Sequence, residues 1–306
     1  MNTLRRGLAD YLDLRRSLGY RLQRPEKLLN QFLDYLDQHD ASTVTSELAL
    51  EWAQLPGDAD PLWWAARLGV VRGFAKYLHA LDDTHEVPAA DVLPWKTHRA
   101  NPFLYADAEI TALIAAASTL RFPLRVATYQ LLIGLLAVTG MRVGEAIGLD
   151  IDDFDVEHGV LAIRRGKGGV ARQLPLAPST TTAVGDYLRR PDRRSTARDT
   201  ALLISPAGTR LLYCNVQCTF QKLVRQARIQ PRSASCRPRI HDLRHSFAVT
   251  SLLQAYTDDL NIERCLTLLA TYLGHRSPAG TYWYLSAAPE LLAAAVERLE
   301  RVGDPQ

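Results

Sequence analysis

Over the first ninety residues, apolar positions recur every three or four places, the spacing of helices that bury one face. Leu4, Leu8, Tyr11, Leu12, Leu14 and Leu18 mark the first helix, which Gly19 ends. Leu28, Leu29, Phe32, Leu33 and Leu36 mark a second, begun near Pro25. A third is expected over 45–55. A fourth, over 61–81, carries Trp63, Trp64, Phe74 and Tyr77, read as core rather than as base-stacking platforms. Residues 83–102 hold three prolines and no helical period, the composition of a connection between domains.

From residue 103 the pattern mixes periods. Asp107 is expected to cap a helix running to 117, and Pro123 to start a long apolar helix to 138. Gly140 breaks it, and another helix begins over 141–149. Residues 160–164 and 171–176 read as two short strands joined by a G-K-G-G turn. Helices are expected over 179–190, 213–228, 241–255, 262–273 (ended by Gly274) and 289–302, with a short strand over 201–204. The fold class is therefore mainly α with a small β-sheet. It divides into an N-terminal helical domain over 1–90, a linker over 91–102, and a mixed α+β domain over 103–306.

Composition changes this picture little. The chain has 306 residues, 47% hydrophobic and 23% charged, as in an ordinary globular protein. The strongest apolar run, 131–138, is far below the roughly 18 residues that span a bilayer. The first residues lack the apolar stretch and cleavage site of a signal peptide, so a cytoplasmic location is expected. Cys214, Cys218, Cys236 and Cys265 form no C-x-x-C pair and are read as reduced, unpaired thiols, with no metal and no cofactor.

Charge is more informative in its distribution than in its total of +3. From Arg189 to Arg244, twelve arginines and one lysine face only Asp192, Asp199 and Asp242, a local excess of +10. Arg5, Arg6, Arg15, Arg16, Arg21 and Arg24 crowd the first 24 residues. Such an excess suits either a solvated surface or phosphate binding, and arginine favours the second because its fork grips two oxygens.

Six residues carry candidate chemistry. Arg142, in T-G-M-R-V-G-E-A, stands at a helix start, where free N–H groups also favour an anion. Lys167 sits at the G-K-G turn. His241 and Arg244, in H-D-L-R-H, are an i, i+3 pair that can reach one phosphate. His275 follows a glycine helix stop in Y-L-G-H-R-S. Tyr282 and Tyr284 follow in T-Y-W-Y-L, the second nine residues after His275, and their i, i+2 offset lets only one of them serve. Each alone is weak: a cap, a solvated turn lysine, a structural histidine. A phosphodiester broken without a metal needs its non-bridging charge neutralised, a nucleophile aligned and the departing oxygen protonated. A phenol with an ordinary pKa of about 10 must lose its proton as it attacks.

Taken in order, these boxes resemble the tyrosine recombinase/integrase family of DNA strand-exchange enzymes. R-x-x-E-A-x-x-L (Arg142, Glu145, Ala146, Leu149) is similar to its first arginine box, R-R-G-K-G-G-V-A-R-Q-L-P-L to its lysine hairpin, and H-D-L-R-H-S-F-A to its second box. The resemblance is strong over 103–290. It is weaker over 1–82, where Y-L-D-L-R-R-S-L-G-Y-R-L looks like the start of a helical, SAM-like core-binding bundle.

The resemblance implies Tyr284 as nucleophile, Lys167 as general acid, and Arg142, His241, Arg244 and His275 as phosphate holders. Glu145 would support or orient Arg142, and His245 would be structural. It also implies double-stranded DNA as substrate and a homo-tetramer on DNA formed by a free monomer or weak oligomer. DNA-bending accessory proteins could assist, and no membrane is involved. The helix over 289–302 could dock on a neighbouring copy or pack on its own domain. The segment around Tyr284 leans towards integrases of mobile elements. Resolution of chromosome or plasmid dimers, a type IB topoisomerase and a catalytically silent DNA-binding protein are the alternatives.

Overall fold

The computed structural model describes residues 3–20, 22–94, 101–164, 171–194 and 200–275, together with 291, 292 and 296. The chain separates into two compact units, 1–99 and 100–306. The first is built from helices α1 (Thr3–Ser17), α2 (Gln23–Gln38), α3 (Ser46–Gln54) and α4 (Pro61–His79). Their apolar stripes meet in one core containing Leu4, Leu29, Phe32, Leu36, Trp52, Val71 and Phe74. Trp52, rather than the half-buried Trp63 and Trp64, is the large indole at its centre. Thr45 caps α3 by accepting from the Leu48 amide, and Asp60 caps α4 ahead of Pro61.

The aperiodic stretch after α4 begins as part of this bundle. The Ser46 amide donates to Glu86 Oε2 at 2.8 Å, Glu86 N–H to the Val44 carbonyl at 2.8 Å, and the Val44 amide to His85 Nδ1 at 3.0 Å. Loss of helical period therefore marks an ordered strap here, because its backbone groups find partners on the loop before α3.

The second unit centres on α6 (Pro123–Thr139). Its buried residues run almost all round: Leu124, Thr128, Tyr129, Leu131, Leu132, Ile133, Leu135, Leu136 and Thr139. A helix apolar on every side belongs inside a domain. α5 (Asp107–Ala116), α8 (Pro178–Leu188) and α10 (Asp242–Thr257) pack against it. α7 (Val143–Ala146) is a single turn, shorter than the 141–149 pattern suggested. Strands β1 (Phe154–Asp155), β2 (Val160–Ile163) and β3 (Arg172–Pro175) form an antiparallel sheet in that order, with Ile163 opposite Arg172. α9 (Tyr213–Gln226) and α11 (Ile262–Leu273) complete the α-helices among the described residues.

Three local expectations are corrected. Asp107 is the first residue of α5 rather than its cap; Ala106 is the cap, and its amide donates to Glu109 Oε2 at 2.8 Å. Residues 201–204 are not a strand: isolated bridges, Asp150 with Ala201 and Ile204 with Arg210, hold them. β1 was not expected, since two residues carry no readable alternation. The expected turn at Lys167, the segment with Tyr282 and Tyr284, and most of the 289–302 helix lie outside the described residues.

Candidate active site

Two glycine corners frame the site. Gly140 ends α6 with φ +58° and Gly274 ends α11 with φ +66°, both in the left-handed region that a side chain disfavours. Space is equally tight. A Cβ on Gly140 would run into the Phe247 ring, and one on Gly274 would meet Arg172 Nη1 at 3.0 Å.

Arg244, on the first turn of α10, reaches both corners. Its Nη1 donates to the Gly140 carbonyl at 2.8 Å and its Nη2 to the Leu273 carbonyl at 2.7 Å. The same Nη2 lies 3.0 Å from His275 Nε2. A guanidinium only donates, so in this contact Nε2 accepts and the imidazole proton sits on Nδ1. Arg244 is 2% exposed; its charge is carried into the domain and surrounded by carbonyl dipoles.

Arg142 reaches the same corner from α7. It is the residue before the helix, with extended backbone, as a helix-start arginine should be. Its amide donates to Glu145 Oε2 at 2.9 Å, its Nη1 to Glu145 Oε1 at 2.8 Å and its Nη2 to the Gly274 carbonyl at 3.4 Å. Arg142, Arg244 and His275 thus converge on residues 273–275. His241 stands just before α10 and is exposed, with its ring 5.0 Å from that of the buried His245 in an edge-to-face arrangement.

Glu145 is nearly buried and shared. Burial pushes its carboxyl up, but Arg172, the Arg142 amide and the Arg142 guanidinium together outweigh that, and its pKa falls to about 2. It is a carboxylate at any physiological pH, so it cannot act as a proton donor here.

Two groups of residues with a bearing on the site escaped the sequence reading. Arg172 on β3 forms a two-point pair with Glu145, at 3.1 Å and 2.7 Å, and its Nε donates to the Tyr272 carbonyl at 2.7 Å. One signal could have found it. Arg172 is two residues from buried Leu174, so the strand alternation turns both to the same face. The second group is Arg239 and Asp242. Arg239 donates to both Asp242 oxygens at the start of α10, at 3.0 Å and 2.8 Å. Burial pushes the Asp242 carboxyl up against the pull of Arg239.

The basic run 189–244 resolves into tied and untied members. Arg193 donates to the Ala201 and Leu202 carbonyls, Arg210 to Ile147, Leu149 and Asp150, and Arg232 to the Leu104 carbonyl. With Arg239 and Arg244, these hold the domain together. The local excess of +10 is thus partly a structural feature. Among the described residues no three His, Cys, Asp or Glu side chains cluster as metal ligands, and no helix is long and apolar enough to cross a membrane. All four cysteines are free.

Comparison with known proteins fits this geometry. The model of the phage integrase family matches residues 103–290, the span that holds both corners. Along 98% of its own length and 98% of the relative's, the chain is 41% identical to the "Putative integrase/recombinase y4rB" of Sinorhizobium fredii. It is 32% identical to the tyrosine recombinase XerC of Alcanivorax borkumensis over 71% of this chain and 66% of that one. Its fold is similar to that of the Tn1549 transposon integrase solved with transposon right-end DNA. That match has a TM-score of 0.63 and 16% identity, and covers 97% of this chain and 99% of the other. A full-length relative at this identity and a family match over more than half the chain leave one conclusion: the chain belongs to the phage integrase family and is a site-specific tyrosine recombinase.

Proposed function

We propose that this recombinase cuts and rejoins double-stranded DNA through a 3′-phosphotyrosine on Tyr284, in the service of a mobile genetic element. The observation that carries the chemistry is the convergence of Arg142, Arg244 and His275 on the 273–275 corner. Two guanidinium forks and an imidazole at one place suit the oxygens of a single phosphodiester. His241, exposed just before α10 and three residues from Arg244, completes the proposed phosphate-holding set.

In the first step the Tyr284 phenol oxygen attacks phosphorus and gives up its proton to water. The bond from phosphorus to the 5′ oxygen breaks, and Lys167 protonates that oxygen. The backbone is then held as a phosphotyrosine ester, and the 5′-hydroxyl of a partner strand attacks it, displacing the phenol. One ester is exchanged for another in each step, so no nucleotide cofactor is consumed. Four copies on two duplexes in the cytoplasm would carry both exchanges.

The relative that matches from end to end bears an integrase/recombinase name, which favours mobile-element integration or excision. The partial match to XerC favours dimer resolution as the second reading. Nicked suicide duplexes made from the flanks of the native element test the chemistry. Wild type is expected to form a covalent adduct on denaturing gels, and Tyr284→Phe none. Loss of the adduct in Tyr282→Phe instead would move the nucleophile two residues. Tight binding without any adduct would point to a silent DNA-binding protein, and site-independent relaxation of supercoils by dilute protein to a topoisomerase. Recombination of paired element ends, with plasmid dimers left unresolved, would decide between the two biological readings.

A further inference from the structure

Arg172 contributes to none of the roles above, yet it touches three of the segments that build the site. It leaves the sheet from β3, five residues after Lys167 in the chain. Its Nη1 and Nη2 hold both oxygens of Glu145, the carboxylate that also holds the Arg142 guanidinium and the Arg142 amide. Its Nε donates to the Tyr272 carbonyl in the last turn of α11. Its Cζ and Nη1 lie against the face of Gly274, where a Cβ would sit at 3.3 Å and 3.0 Å from them. Only 7% of the Arg172 side chain and 4% of that of Glu145 reach solvent.

Such a placement is expensive for a purely structural cation. Taking a guanidinium and a carboxylate out of water costs more than an apolar pair of the same size. It is geometrically effective, because a planar fork with all three nitrogens engaged leaves little freedom to either partner. Glu145 is fixed on one side by Arg172 and hands that fixed position to Arg142 on the other. The Tyr272 carbonyl and Gly274 are fixed by the same group, and they set where His275 begins.

We propose that Arg172 is a positioning residue. By holding Glu145 and the Tyr272–Gly274 corner together, it places Arg142 and His275 for phosphate and ties both to the strand that follows Lys167. The proposal rests on the function proposed above for Arg142 and His275. It predicts that the phosphate pocket is assembled in the free protein and that Gly274 must remain glycine to admit the Arg172 fork.

The test has two arms. The first needs no DNA: the ring proton of His275 is titrated by NMR in the full chain, in wild type, Arg172→Gln and Arg172→Lys. Thermal melting accompanies it to show that each variant is folded. The second measures single-turnover adduct formation and DNA affinity for the same proteins. Arg172→Gln is expected to shift the His275 titration, and to slow cleavage at least tenfold with affinity changed less than threefold. Arg172→Lys, with one charged point and no fork, is expected to recover part of the rate. A His275 titration that does not move in Arg172→Gln overturns the proposal, as does an unchanged cleavage rate. If Arg172→Gln does not fold, Gly274→Ala, which crowds the fork instead of removing it, must shift His275 in the same assay; an unmoved titration again overturns the proposal. If wild type forms no adduct, the phosphotyrosine reading fails, and the NMR arm still decides the role of Arg172.

Discussion

In the N-terminal bundle the ion pairs lie outside. Arg5 answers Asp34 and Asp37 across α1 and α2 with 37% of its side chain exposed, and Arg16 answers Glu26 at 41%. Its buried arginine, Arg67, lies over the Trp52 ring and donates to the Trp52 carbonyl. The C-terminal unit has exposed pairs as well, such as Arg189 with Asp186, but around its site the pattern is reversed. Arg172 and Arg244 are drawn inside, Arg142 is mostly covered, and Glu145 is the carboxylate shared by Arg142 and Arg172. Exposed pairs cost little and contribute little. Inward-facing guanidinium groups in excess of carboxylate leave a fixed positive field at the corner where Arg244 meets the Gly140 and Leu273 carbonyls and His275. A fold gains nothing in stability from that excess, whereas binding of a phosphodiester, as proposed, would draw on it.

The contrast breaks first at Glu145. Glu145→Gln removes the charge between Arg142 and Arg172 and leaves two guanidinium groups facing each other with little solvent. A loss of about 3–5 kcal/mol is expected, read as a lowered midpoint in urea unfolding, together with a cleavage defect. The same carboxylate should set the acid limb of stability. Its folded pKa of about 2 lies below its ordinary 4.5. The stability it supplies is therefore complete above about pH 5 and is lost as pH falls towards 2, amounting to about 3 kcal/mol. Asp242 works in the opposite sense, since burial raises its carboxyl and acid favours its folded form. Unfolding midpoints measured from pH 7 to pH 3 should fall in wild type and flatten in Glu145→Gln. At the small end, Arg5→Ala should cost below about 1 kcal/mol and lose even that at high salt. A larger effect would mean that the outer pairs of the bundle are not the solvated face described here.

Much of this was legible in the sequence, for physical reasons that differ by element. The bundle helices announce themselves because burying one face needs a 3.6-residue period, which Leu28 to Leu36 satisfy, whereas α6 is legible as a long apolar run between Pro123 and Gly140. Gly140 and Gly274 were readable as helix stops. That each also sits too close to a neighbouring side chain for a Cβ was not, because closeness across the fold is not written locally. Arg142, Arg244 and His275 could be named from their boxes, and the structure brings them to one corner. Arg172 was passed over because a charged residue in a four-residue strand looks like an outer position until its shared face with Leu174 is noticed. The basic run is legible only as a sum. A count of arginines cannot separate Arg193 and Arg210, spent on carbonyls, from those left to solvent.

In the proposed function the guanidinium forks of Arg142 and Arg244 perform the phosphate chemistry, not merely the folding or DNA attraction. The most direct test keeps the charge and removes the fork: Arg244→Lys and Arg142→Lys, each compared with wild type for DNA affinity and single-turnover adduct formation, with thermal melts as the folding control. Folded variants that bind DNA within a few-fold of wild type, yet form adduct at least about a hundredfold more slowly, are the predicted result. Adduct formation at the wild-type rate by either folded lysine variant would contradict the account.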